Sequence, residues 1–208
     1  LRDVSRSGLA TDAAVIAIDI PIGLMEGPGG RDCDRAARAL LGWPRMTSVF
    51  SPPARQTLKW CCSDYKRACR INFANTKRKI SQQAFYIGPK IREVDDTMTR
   101  PRARRVYEAH PEVSFAALNT PGGAMRFRKS KHAGRTERWA LLRRIFPELP
   151  PEPRLPDALS RLCDREDYID ALVCAWTAAR IHAGEADPLP ADPPRDNKLL
   201  RMAIWRPR

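Results

Sequence analysis

Residues 13 to 24 read AAVIAIDIPIGL, an apolar run broken by a single carboxylate, Asp19. From Val15 to Ile20 apolar residues do not alternate with polar ones, which predicts a strand covered on both faces, as in a parallel or mixed α/β sheet. Pro21 and Gly23 stop that strand. Asp19 then stands at the end of a segment the chain must bury, where a lone carboxylate needs a basic neighbour or a metal ion. In open α/β sheets, ligands gather at such strand ends.

The rest of the chain supplies helices to cover the sheet. Turn residues in GPGGRDCDRAARALLGW lead into a helix from about Arg31 to Leu41, with Gly42 as its cap. TSVFSPPARQTL reads as an extended segment or loop broken by Pro52 and Pro53. The basic, cysteine-rich stretch from 58 to 79 reads as a helical excursion, within an insertion around 55 to 80. Ala84, Ile87, Ile91 and Val94 have helical spacing, which Gly88 and Pro89 are expected to kink or divide. Val106, Glu108 and His110 share one face of a second strand, and Pro111 opens a short helix through Leu118. TERWALLRRIF is an amphipathic helix, and the last long helix runs from about Glu166 to Ala183, capped by Gly184. The Pro-rich tail ends in MAIW, a candidate final strand. At 208 residues the whole chain is expected to form a single domain. It carries no internal repeat and no glycine-rich phosphate loop of the Walker or dinucleotide type.

Charge points to a partner class. The chain has 37 Lys and Arg against 24 Asp and Glu, a formal net charge of +13. Arg55 to Arg105 holds 14 bases and four acids, and Met125 to Arg144 holds eight bases and one acid. Such stretches attract a polyanion with salt-sensitive affinity, and nucleic acid is the expected partner, the alternative being a solvated, solubilising face. No apolar run reaches the roughly 18 residues of a membrane span, and the first residues lack a signal-peptide layout. The chain is therefore read as soluble and cytoplasmic, with no membrane partner. Its six cysteines form no C-x-x-C pair and are expected to be reduced, mostly structural thiols. Cys61, Cys62 and Cys69 lack a fourth ligand for a soft metal.

Carboxylates occur where burial makes them costly. Besides Asp19, Glu108 lies mid-strand and Asp170 lies inside the last helix, where Asp167 shares its face one turn earlier. Oxygen-only clusters of this kind suit hard cations, Mg²⁺ or Mn²⁺, and two such ions can activate water and stabilise the leaving oxygen of a phosphodiester. Each acid also has a structural reading. Asp19 could cap the turn, Glu108 could pair with an Arg from 100 to 105, and Asp167 could serve the dipole of a helix capped by Asp164. His110 is a candidate for substrate binding or for a structural hydrogen bond, and Lys90 for steering phosphate or for simple solvation.

Seven segments, AIDIPIGL, GGRDCDRAAR, TSVFSPPAR, SQQAFYIGPKIREVD, YEAHPEVSFAALN, KHAGRTERWALL and DYIDALVCAWTAAR, resemble in this order the blocks of the family catalogued as domain of unknown function 429, predicted nucleases of the ribonuclease H-like fold. The resemblance implies an α/β fold, a mixed five-stranded sheet flanked by helices. It implies a catalytic and metal-binding site of Asp19, Glu108, Asp167 and Asp170, holding Mg²⁺ or Mn²⁺. The SQQAFYIGPKI block adds Ser81, Gln83 and Lys90 as substrate-binding candidates beside His110. Members of the fold begin with a strand carrying an Asp, followed by a hairpin, whereas LRDVSRSGLATDA is too short and polar to supply them. Two readings follow: a truncated chain, or a form lacking that strand and its acid. The expected activity is metal-dependent hydrolysis of DNA or RNA. A nucleic-acid-binding protein without hydrolysis and a binder of nucleotides or small phosphorylated ligands are the alternatives, and the oligomeric state stays open.

Overall fold

The apolar run at 13 to 24 does form a strand, shorter than its hydrophobic pattern, in a computed structural model that describes residues 12–208. The reading of the first residues as too short and polar for a strand falls largely on residues 1–11, outside the described residues. Strand β1 (Ile16–Ile18) pairs in parallel with β2 (Val106–Ala109), β2 in parallel with β4 (Ile204–Pro207), and β4 antiparallel with β3 (Ala186–Leu189). The order is β1-β2-β4-β3, a mixed four-stranded sheet. The expected final strand is β4, while β3, inside the Pro-rich tail, was not anticipated from the sequence. Its Pro188 is tolerated because β3 lies at the sheet edge, where a missing N–H costs no ladder bond on the open side.

Among the described residues there are six α-helices: α1 (Asp32–Leu41), α2 (Tyr65–Thr76), α3 (Gln82–Thr97), α4 (Pro111–Leu118), α5 (His132–Ile145) and α6 (Arg165–His182). Their starts follow local chemistry. Asp64, Ser81 and Asp164 accept from the backbone N–H groups of Arg67, Ala84 and Asp167, capping α2, α3 and α6. Pro111 opens α4, and Gly42 closes α1 at φ 60°, a conformation costly for a residue with a Cβ.

Period-2 alternation sorts the sheet. Through the register Ile16↔Val106, Ile18↔Glu108 and Glu108↔Ile204, these side chains share one face. There Ile16, Ile18 and Val106 pack against Val94 and Met98 at the end of α3, and Ile204 packs among Ala37 and Leu41 of α1 and Val113 of α4. Helix α6 packs against all four strands, and its Ile169 and Val173 join Phe115, Trp139 and Leu142 in a second cluster with α4 and α5.

Of the two outcomes expected at Gly88 and Pro89, a kink or a division, the division is corrected. Gly88 and Pro89 do not divide α3, which runs unbroken from Gln82 to Thr97 with Pro89 inside it. Proline removes the N–H that the carbonyl four residues earlier, Phe85 O, would accept. The Cys62 thiol donates to Phe85 O at 3.5 Å and to Tyr86 O at 3.3 Å, replacing the lost donor. Gly88 lets the turn that carries this cysteine approach, because a Cβ there would overlap the Cys61 side chain. All six cysteines are free thiols, as the sequence indicates. Among the described residues, no helix is long and apolar enough to cross a membrane.

Candidate active site

Glu108 follows from the strand register. It faces the same side as Ile18, where the N-terminus of α1 presents Arg31. The guanidinium meets both carboxylate oxygens at 2.7 Å and Asp34 Oδ1 at 2.6 Å, while Ile22 N donates to Glu108 Oε2 at 2.7 Å. Arg31, Asp34 and Glu108 are all buried. Burial pushes the Glu108 carboxyl up, against the pull of Arg31. The expected basic partner thus exists, but it comes from α1 and not from the 100 to 105 stretch, and both oxygens expected to bind metal are already engaged. Glu108 ties the chain leaving β1 to α1.

Asp19 follows Ile18 by one residue and leaves from the opposite face, toward α6. It opens to solvent in a cleft of about 540 Å³ that Asp170 also lines. Protein crowds its carboxyl, and this desolvation, reinforced by the negative charge of Asp170, raises its pKa well above the ordinary range; Lys129 opposes the shift, and Glu108 and Asp167 add to it.

Asp170 is 8% exposed. Lys129 donates to its Oδ2 at 2.7 Å, while its Oδ1 is enclosed with no hydrogen-bond partner. Burial raises the Asp170 carboxyl despite the lysine. Burial works to lower the pKa of Lys129, but the charge and hydrogen bond of Asp170 outweigh it and leave the ammonium more firmly protonated. Glu112, in the first turn of α4, receives a 2.5 Å bond from Arg138 to Oε1, and its Oε2 is enclosed without a partner. His110 Nε2 lies 3.4 Å from Ser48 O, and its Nδ1 has no partner. Three enclosed polar atoms, Asp170 Oδ1, Glu112 Oε2 and His110 Nδ1, therefore belong to residues lining one cleft.

The remaining expected residues are spread more widely. Gln83 lines the cleft. Ser81 Oγ is taken by Ala84 N as the cap of α3, and Lys90 is exposed further along the same helix. Asp167 is exposed and its N–H is capped by Asp164, yet it lies within electrostatic reach of Asp19. Glu112, Lys129, Arg45, Arg128 and the exposed Trp43 line the cleft without having been singled out in the sequence. For Glu112 a signal existed, a lone carboxylate in the apolar helix PEVSFAAL, the same pattern that marks Asp170. Lys129 sits in a basic loop with no periodicity to distinguish it.

Among the described residues, no group of three or more His, Cys, Asp or Glu is arranged to hold a metal ion. The chemistry of the cleft still suits a hard cation, because Mg²⁺ commonly takes one or two carboxylates and completes its shell with water and substrate phosphate oxygens. Asp19 and Asp170 are such a pair, with raised pKa values that a cation would relieve.

Residues 3–195 match the family described as Protein of unknown function (DUF429), and the chain belongs to it. No curated protein and no solved structure matches the chain.

Proposed function

We propose that this member of the domain of unknown function 429 family is a divalent-metal-dependent phosphodiesterase acting on DNA or RNA, with its mixed sheet built on the ribonuclease H-like plan. The observation that carries the reading is the pair Asp19 and Asp170 in one cleft, with Asp170 Oδ1 enclosed and unclaimed by the protein, beside Arg45, Arg128 and Lys129. Carboxylates with raised pKa values in a cleft are where acid–base and metal chemistry concentrate. The position beyond the carboxyl ends of parallel β1 and β2 is the usual ligand site of open α/β sheets.

In this reading Asp19 and Asp170 hold Mg²⁺ or Mn²⁺, one or two ions, and Glu112, with its free Oε2, is the next carboxylate in the lining. A bound divalent ion supplies activation of water at neutral pH and neutralises charge at the phosphate. Arg45 and Arg128 hold the phosphate backbone, and Lys129 exchanges Asp170 for a substrate oxygen. Gln83 and His110 contact the nucleotide. Glu108 acts as a positioning residue, fixing the exit of β1 through Ile22 N and Arg31. Asp167 adds negative charge to the approach.

The test is incubation of the protein with labelled single-stranded, duplex and branched DNA and RNA, with Mg²⁺, Mn²⁺ or EDTA. Metal-dependent cleavage is expected, falling by more than about 100-fold in both Asp19→Asn and Asp170→Asn. A second reading, nucleic-acid binding without hydrolysis, draws on the same ion pair, because the Lys129 ammonium already neutralises Asp170. No cleavage under any condition, with salt-sensitive binding equal in all three proteins, would select that reading.

A further inference from the structure

Exposed aromatic rings on the basic excursion have no part in the cleft chemistry. From Tyr65 to Arg92 the sequence contains no Asp or Glu, while Lys66, Arg67, Arg70, Lys77, Arg78, Lys79, Lys90 and Arg92 are all basic. This segment folds as α2 and most of α3. Along α2 runs a groove of about 880 Å³ lined by Tyr65, Phe73 and Cys69 and by Lys66, Arg70 and Lys79, with no carboxylate in its lining. Phe73 is 50% exposed and Tyr86, on α3, is 68% exposed.

The rings are joined and held. Tyr65 meets Phe85 edge-on at 5.2 Å, and Phe85 meets Tyr86 edge-on at 5.4 Å. Phe85 is buried, and the Tyr65 hydroxyl donates to Ile80 O at 2.9 Å. Exposed Tyr65 and Tyr86 therefore flank a fixed internal ring, Phe85, while Phe73 stands on α2 in the groove that Tyr65 also lines. Helical spacing sets Gln83, Tyr86, Ile87 and Lys90 on neighbouring positions of one helix surface. Gln83 and Ile87 line the Asp19 cleft, so the helix surface that carries Tyr86 reaches the carboxylates, and Tyr86 is joined through Phe85 to Tyr65 in the groove. Trp43, 82% exposed, stands in the cleft lining itself.

We infer that α2 and α3 form a track for single-stranded nucleic acid, with Phe73 and Tyr86 as base-stacking platforms, Lys66, Arg70 and Lys79 as phosphate contacts, and the Asp19 cleft as its destination. The inference rests on the phosphodiesterase reading only for that destination. Exposed rings beside unpaired-acid-free basic side chains are the composition of single-strand sites, where any base offers a π face and the backbone follows positive charge. A duplex hides those faces within its stack, so the rings distinguish the single strand from the double.

The test measures affinity in EDTA, where cleavage cannot intervene, by fluorescence anisotropy of labelled oligonucleotides: single-stranded DNA, single-stranded RNA and duplex DNA of the same sequence. The single strands are expected to bind more tightly than the duplex. Phe73→Ala and Tyr86→Ala are each expected to lose about tenfold for the single strand with little change for the duplex, while Phe73→Trp keeps the affinity. Both rings are exposed, and circular dichroism melts identify any variant that fails to fold, for which Phe73→Leu is the replacement. Equal single-strand affinity in the wild type and both alanine variants, or a duplex bound as tightly as the single strand, would overturn the inference. So would ring-dependent capture by phosphatidylserine vesicles with no preference for single strands. Ring-dependent single-strand binding without metal-dependent cleavage would sink the phosphodiesterase reading alone; cleavage with ring-independent binding would sink the track alone.

Discussion

His110 is a histidine whose surroundings disfavour its charge. Enclosure lowers its pKa below the ordinary value; the Ser48 carbonyl, Glu112 and Asp34 pull it back up, and Lys129 pushes it down. A lowered folded-state pKa means that unfolding takes up a proton once the pH falls below about 6.5, the unfolded value. The stabilisation is therefore present above that pH and is lost as acid is added, at up to about 1.4 kcal/mol per pH unit for one proton. The raised carboxyls Asp19, Glu108 and Asp170 act in the opposite sense in both proteins, so urea unfolding at pH 7.5, 6.5 and 5.5 is expected to show stability changing less favourably with acid in the wild type than in His110→Asn. Equal slopes would mean that the ring is free to charge in the fold. At this scale part of the candidate cleft was legible: an acid in an apolar strand and an acid in an apolar helix pointed to Asp19 and Asp170. Of these, Asp170 is buried as expected, whereas Asp19, expected to be buried, is exposed because it stands past the strand end at the cleft. Lys129 was not legible, because nothing local distinguishes the one base of a basic loop that reaches Asp170, 41 residues away.

Elements were legible where their causes are local. Helix α6 begins at the Asp164 cap and carries the apolar spacing of Ile169 and Val173, so its bounds were read within a residue. The continuity of α3 depends on Cys62, 27 residues before the proline it compensates, and the pairing of Glu108 with Arg31 spans 77 residues. Local pattern carries no trace of such partners. The junction of α3 with the Cys61–Cys62 turn gives the prediction at this scale. Gly88→Ala drives a methyl into Cys61, an overpacking worth about 1–3 kcal/mol, and is expected to lower Tm by about 2–12 °C. The double variant Gly88→Ala with Cys61→Gly is expected to recover part of that loss, because the second change removes both the Cβ and the sulfur the methyl meets. Simple additivity of the two losses in thermal melts would refute the contact.

Across the whole molecule, the buried acids are met by bases, and two of those bases, Arg31 and Arg138, are themselves buried. Asp34, Asp95, Glu108, Glu112, Asp170 and Asp196 are buried, and they are neutralised by Arg31, Arg55, Arg138, Lys129 and Lys198. One guanidinium, Arg55, serves Glu26, Asp95 and Asp196 together. Six of the 24 acids are met by five bases in this way, so the pairing nearly cancels and the +13 excess falls to the remaining side chains. Composition disclosed the excess, but only the fold directs part of it to the cleft, through Arg45 and Arg128. If those side chains contact phosphates, the logarithm of the single-strand binding constant falls with the logarithm of salt concentration, and each contact contributes about 0.7 to the slope. Arg45→Gln and Arg128→Gln are each expected to reduce the slope by about that amount, whereas Arg144→Gln, on the exposed last turn of α5, leaves it unchanged. Equal reductions in all three variants would show a diffuse positive field that does not single out the cleft. Reductions confined to the first two would tie polyanion binding to the surface around Asp19 and Asp170, as hydrolysis there requires.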